Sequence, residues 1–478
     1  MKNSVGKSII IVLTVVAVVG GAIWLSTQKD LFENFLGQLI NTTLYEEETE
    51  STTPLDEPPE PTAPSNLNLE FSLNEDGKSY SIIEVGDSTD GTIVLPATYE
   101  GLPITSIGDH SFKGCNNITS IKIPDGVTSI GKEAFSNCIN LRDITMPDTV
   151  TSVGSGAFSN CVALTDITIP SSVTDIGEMA FYYSGITSVT FGENSQLTQI
   201  GANAFCCSSL ESIIIPNSVT SIEMCAFSWC NRLKSITIPD GVTSIGDAAF
   251  SFCESLISIT IPNGVTSIGS GAFSGCRDLT SITLSNAITS IGEGLFKGCG
   301  SLENIVIPNG VTSIDAFAFQ DCFRLTNVKI PSGVTTICDG AFRGCDNLVQ
   351  KENGIWYVDK WVVGCDSSVI SAELRKNTVG IAAYAFYNCN VLTSITLPDS
   401  IMNMSEGAFS WCSSLTSIKL PEGMKSIGVW ALANCTNMSN IIFEGTVSQW
   451  KSISIGSEWN FEVPATEVVC IDGTVALN

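Results

Sequence analysis

A segment of about 23 residues that returns along most of the chain restricts the fold more than any other feature of this sequence. Residues 233–255 read LKSITIPDGVTSIGDAAFSFCES. The pattern Leu-x-x-Ile-x-Ile-Pro-x-x-Val-x-x-Ile-Gly-x-x-Ala-Phe-x-x-Cys recurs from near Leu102 to near Cys435. An anchoring aromatic marks it at Phe112, Phe135, Phe158, Phe181, Phe205, Phe227, Phe250, Phe273, Phe296, Phe319 and Phe342. After a longer interval come Phe386 and Phe409, with Leu432 in the same place at the end. Within one copy, Ile236 and Ile238 alternate as in a short strand, and Pro239-Asp240-Gly241 has turn chemistry. Val242, Ile245, Ala249 and Phe250 then bring the chain back around a core, so each copy is one coil of a solenoid. Six large apolar groups at roughly 2–3 kcal/mol give about 15 kcal/mol. Fixing the backbone costs about 1–2 kcal/mol for each residue, so a lone coil cannot fold and stacking must supply the difference. About fifteen coils at roughly 4.8 Å each predict an array on the order of 70 Å long.

The flanks divide the chain further. Residues 1–28 begin MKNSVGK and continue into an apolar run from Ile9 to Leu25, which is the pattern of an export signal. An uncleaved membrane anchor is the favoured reading, with Lys2 and Lys7 on the cytoplasmic side and the rest of the chain outside. Cleavage near Gly21 or Ala22, giving a secreted protein, is the alternative. Residues 29–66 are rich in Thr, Pro and Glu and read as an extended acidic stalk; Asn41 within it matches a glycosylation acceptor. Residues 67–101, with Leu69, Phe71 and Leu73 before the turn Asn74-Glu75-Asp76-Gly77, form an expected N-terminal β cap. The repeat array is expected over 102–349 and again over 380–445. Between them, residues 350–379 contain NGIWYVDKWVVGCD and read as an inserted hairpin or irregular coil. Residues 446–478, with Trp450 and Trp459, read as a C-terminal cap.

Charge narrows the partners. The formal net charge is −27, and wrapping a nucleic-acid backbone or docking on anionic lipid needs a basic surface. No nucleic-acid partner is expected, and membrane association is expected through the N-terminal segment alone. The single histidine, His110, disfavours histidine-based catalysis or metal binding, and its place is taken by Glu133 in the next copy, so it reads as a solvated position.

Three recurrent features have the chemistry for a site. Cysteine follows the aromatic by three residues at Cys115, Cys138, Cys161, Cys230, Cys253, Cys276, Cys299, Cys322, Cys345, Cys389, Cys412 and Cys435. Neighbouring coils hold such side chains about 5 Å apart with parallel Cβ vectors, whereas a disulfide needs Cβ atoms near 3.8 Å and facing one another. The expectation is a buried column of free thiols acting as small apolar filler. Cys206, Cys207, Cys225, Cys338, Cys365 and Cys470 lie outside that register, and a disulfide among them stays open. Pro-Asp-Gly turns offer one side-chain oxygen apiece, too few for calcium. The third feature is the solvent side of the strand, because positions alternating with the buried Ile pair share one face. These are Ser120 and Lys122, Asp143 and Thr145, Asp166 and Thr168, Ser235 and Thr237, Ser258 and Thr260, Ser281 and Thr283, Asn327 and Lys329, and Ser394 and Thr396. They are the candidate binding face. Trp229 and Trp411, both in Ser-Trp-Cys, read equally as exposed contacts or as residues packed on loops.

The ITIPDGVTSIG and AFSGC units, GLPITSIGDHSF at 101–112, TVGIAAYAFYNC at 378–389 and GTVSQWKSISIG with CIDGTV near the end resemble the BspA-type leucine-rich repeat proteins of bacterial and some protozoan cell surfaces. The resemblance covers roughly residues 67 to 478. It implies a leucine-rich repeat solenoid with parallel β-strands on a concave face, and a surface protein that binds host matrix or other cells. It fixes no binding residues. The expected function is non-enzymatic adhesion or recognition of an extracellular protein or glycan by a monomeric array, without catalytic residues, metal or cofactor. The alternative is a structural spacer or assembly scaffold in the cell envelope.

Overall fold

The computed structural model describes residues 68–86 and 91–477, all within the compact unit Thr62–Asn478. The expected anchor, stalk and glycosylation acceptor lie outside the described residues. The fold is a parallel β-solenoid of about 17 turns with coils of about 23 residues. The sequence count of about fifteen is low because it follows the aromatic. Turns without one also enter the stack: Gly91–Val94 pairs with Ile118–Lys122, and Ser454–Ile455 pairs with Ser426–Ile427.

Each regular coil has three sides. The first is a short strand such as Ser235–Thr237, exposed, buried, exposed in sequence, paired in parallel so that Ile236 lies beside Ile213. A turn follows, closed by the Val242 amide donating to the Pro239 carbonyl at 3.1 Å. The second side is a two-residue strand, Ser244–Ile245, laddered to Ser221–Ile222 and Ser267–Ile268. On the third side the Phe250 amide donates to Ala272 of the next coil at 2.8 Å. Ala248 and Phe252 flank it in the left-handed region, with φ of 52° and 58°. That alternation aims the amides of 248, 250 and 252 along the stack, where all three find carbonyls of the next coil, so none of these three is left unpaired.

Close stacking explains the glycine after Ile245. A Cβ on Gly246 would lie 2.5 Å from the Met224 nitrogen of the coil before. At the equivalent Gly292 the nearest atom is 3.6 Å away, so the same consensus glycine is a steric necessity in one coil and not in another. Inside, the rings from Phe112 to Phe342 form one stack with centroids 5.0 to 5.9 Å apart, the offset arrangement that aromatic quadrupoles favour.

The stack breaks after Phe342. Gln350–Glu352, Ile355–Val358 and Trp361–Cys365 pair antiparallel, turning at Asp359, whose φ is 50°. Trp361–Cys365 then joins Gly380–Ile381 in parallel. Val358 and Trp361 belong to the core before the hairpin, and Ile355, Tyr357 and Val362 to the core after it. At the other end, Leu69–Leu73 pairs antiparallel with Tyr80–Val85, which continues in parallel to Leu102–Ile107. Past Leu432 the chain adds a short helix, Val447–Trp450, which the sequence reading missed. Thr446 accepts from the Gln449 amide at 3.2 Å while the Gln449 side chain accepts from the Thr446 amide at 2.7 Å. This is a capping box, legible as Thr-Val-Ser-Gln.

Candidate binding face

The strand side is a row of short parallel sheets, most of them two-stranded, whose character changes along the stack. At its start the polar groups satisfy one another. Ser120 is half-buried rather than exposed, because its hydroxyl donates to Asp143 of the next coil at 3.0 Å. Asp166 accepts from Ser188 and from Thr165 at 2.8 Å, and these bonds, Ser188 first, hold its carboxyl below the ordinary range. Lys122, Thr145 and Thr168 are exposed beside them.

The middle differs. Ser235, Thr237, Ser258, Thr260, Ser281 and Thr283 are all exposed around a buried Ile. Among the described residues none of their hydroxyls has a protein partner. Thr237 lies beside Ile214, and Thr260 beside Thr283. Ile214 and Val306 occupy the same column and are 76% and 83% exposed, which makes this stretch amphipathic. The sequence reading named neither, and Ile213-Ile214-Ile215 and Ile305-Val306-Ile307 carry an aliphatic residue where other coils carry Thr. The repeat register was the signal that would have placed them. Charges at the edge are neutralised locally: Arg232 pairs with Glu211 at 3.0 Å and Arg324 with Glu303 at 3.2 Å.

Toward the end charge returns. Asn327 and Lys329 are exposed, with Lys329 beside Val306. Ser394 and Thr396 lie beside Ser371 and Glu373. Lys419, one strand on, pairs with Glu444 at 2.5 Å, which raises the lysine above its ordinary value. The sixteen sequence candidates therefore fall in three groups along one surface, not in one pocket.

A second threonine column lies nearby and is spent on structure. Thr243 donates to the Thr220 carbonyl at 3.2 Å, Thr151 to Thr128 at 3.1 Å and Thr312 to Thr289 at 3.2 Å. The thiols from Cys138 to Cys435 in the column are buried and free, as expected, and most of them also donate hydrogen bonds. Cys276 donates to the Phe250 carbonyl at 3.1 Å, and Cys253 to Phe227 at 3.1 Å. Each such carbonyl also accepts the amide three residues on, as Phe250 does from Cys253 at 3.2 Å, so both lone pairs are used. Burial pushes the Cys138, Cys230 and Cys276 thiols up to about 12. The tryptophans divide: Trp229 stacks on Phe252 at 4.3 Å, while Trp411 is 50% exposed. His110 is exposed, 3.8 Å from Glu133, and both residues are left-handed. Among the described residues no group of His, Cys, Asp and Glu is placed to hold a metal ion, and no helix is long and apolar enough to cross a membrane.

The coil pattern on which this face is built matches the sequence family described as the BspA type Leucine rich repeat region (6 copies) over residues 105–234, 220–349 and 364–460, well over half of the chain. The chain belongs to the BspA-type leucine-rich repeat family. No curated protein matches it. Solved structures similar to this BspA-type chain include a leucine-rich repeat protein from Bacteroides ovatus ATCC 8483, 24% identical, covering 84% of this chain and 98% of that one, with a TM-score of 0.48. A leucine rich cell surface protein from Faecalibacterium prausnitzii A2-165 is 28% identical, covering 83% and 98%, with a TM-score of 0.35. A leucine-rich repeat protein from Eubacterium ventriosum ATCC 27560 is 25% identical, covering 83% and 93%, with a TM-score of 0.40. In the BspA-type repeat of this chain, Leu, Ile, Val, Phe and Cys are consumed by the core, which leaves the strand face as the surface free to vary.

Proposed function

We propose that this BspA-type protein is a non-enzymatic binding protein of the cell surface that recognises an extracellular protein or glycan with the middle of its strand face. The observation that carries this reading is the set of unpartnered hydroxyls on three successive coils, Ser235 and Thr237 through Ser281 and Thr283, flanked by exposed Ile214 and Val306. Exposed hydroxyls offer both donors and acceptors without the desolvation cost of a charge, and neighbouring aliphatic side chains add apolar contact. Many weak contacts repeated along the stack give affinity through number. Residues 1–28 act in this reading as the membrane anchor, with 29–66 as the stalk that holds the repeats away from the surface.

The test is a glycan and matrix-protein array probed with the full chain and with a Thr237→Lys/Thr260→Lys/Thr283→Lys variant. The wild type is expected to bind a defined ligand, and the variant to lose at least about tenfold in affinity, a difference of about 1.4 kcal/mol. A folded wild type that binds nothing, or a variant that binds equally well, removes the reading.

A further inference from the structure

The cysteine three residues after the aromatic is used in one way along most of the stack, and Cys389 departs from it. From Cys138 to Cys345, and again at Cys412 and Cys435, the thiol donates to the carbonyl of the phenylalanine 26 or 25 residues earlier. Cys389 has no such partner, because the turn before it is the hairpin, which carries no phenylalanine at that place. Its sulfur instead lies 2.6 Å from the sulfur of Cys365, at the end of the hairpin strand Trp361–Cys365. Cys206 and Cys207, a non-bonded pair in this chain, stand 3.6 Å apart. Both cysteines are free in this structure, but at 2.6 Å their sulfurs are well inside that separation and need move only about half an ångström to reach the bond length of about 2.0 Å.

We infer that Cys365 and Cys389 form a disulfide that ties the hairpin to the first coil of the second repeat run. The inference does not depend on the identity of the ligand or on the strand face. The oxidant is a disulfide donor, either a small-molecule disulfide or an oxidised dithiol oxidoreductase. Cys365 is half-buried and reachable, whereas Cys389 is 1% exposed. The Cys365 thiolate therefore attacks a donor sulfur, the donor disulfide breaks and one donor thiol leaves. The Cys389 thiolate then attacks the Cys365 sulfur of the mixed disulfide and displaces the second donor thiol. The two protons lost by the cysteines end on the two donor sulfurs, and the two electrons reduce the donor. The bond joins two elements of one core: Cys389 is within it and Cys365 packs against it.

The experiment treats the reduced full chain with oxidised glutathione, alkylates it in denaturant without reductant and maps the peptides by mass spectrometry. One cross-linked pair is expected, Cys365 with Cys389, lighter by two hydrogens, while the column thiols are alkylated. Alkylation of both residues, or a cross-link between other cysteines in place of this pair, overturns the inference. Hydrogen exchange supplies a second readout: oxidation should slow exchange in Ile355–Val358 and Trp361–Cys365 in the wild type and leave Cys365→Ser unchanged. Equal exchange in oxidised and reduced wild type refutes the tie. Should Cys365→Ser fail to fold, the wild-type peptide map alone decides.

Discussion

Thr237 and Thr243 belong to the same coil, yet their hydroxyls have opposite roles. Thr243 donates to the coil before it; Thr237 is exposed on a strand face with no protein partner. The contrast extends to the sides of the coil that carry them. On the Ile-Gly and Ala-Phe-x-x-Cys sides, backbone amides, thiols and glycine contacts are all used between neighbours. On the strand side the middle strands pair two coils at a time, and their outward side chains have no partner. A stacked repeat thus separates residues that hold coils together from residues that are free to meet something else, and residue type does not tell the two apart.

The largest expected effect tests how completely the stacking side is sealed. Burial raises Cys138, Cys230 and Cys276 from the ordinary 9.0 to about 12. Across that window the unfolded chain has lost protons that the folded coils keep. Stability therefore falls as pH rises, by about 1.4 kcal/mol per pH unit for each such thiol. The melting midpoint in reductant should drop steeply above the ordinary thiol pKa, and Cys276→Ala should make the slope shallower. A flat profile would show the thiols to be open to solvent and would erase the contrast between the sides.

A smaller effect separates two glycines with one consensus. Gly246→Ala places a methyl group 2.5 Å from the Met224 nitrogen and should cost about 1–3 kcal/mol in urea unfolding. Gly292→Ala, with 3.6 Å to its nearest neighbour, should stay neutral or stabilise by up to about 1 kcal/mol. Equal costs at the two positions would mean that the coils are more evenly spaced than the structure shows.

The smallest effect addresses the two threonines themselves. Thr243→Val removes the hydrogen bond to Thr220 and should cost about 0.5–1 kcal/mol. Thr237→Val should change stability by no more than about 0.5 kcal/mol, since its hydroxyl has nothing to lose within the fold. Denaturation of both variants under one set of conditions sharpens or removes the distinction.

The pattern of Leu, Ile, Val, Phe and Cys determined the solenoid without help from the structure. One coil buries too little to fold alone, and recurring apolar positions have no use except stacking. Alternation around Ile236 likewise placed Ser235 and Thr237 on the outside, because the strand period is local. What lay beyond the sequence depends on contacts between coils. A left-handed residue at Phe252 or Trp411 is not signalled by its own type, although the same column elsewhere carries Gly114, Asn137, Asn160, Gly275, Asn388 and Asn434; the stacked amide bonds hold it there. Within the apolar runs at Ile214 and Val306 the repeat register gives the outward position, but only the stack shows how far each side chain is exposed. The sequence could number Cys365 and Cys389, but only the hairpin's return against the next coil brought their sulfurs together. Periodicity is written in the chain one residue at a time; which neighbours meet across the stack is decided by the tertiary structure.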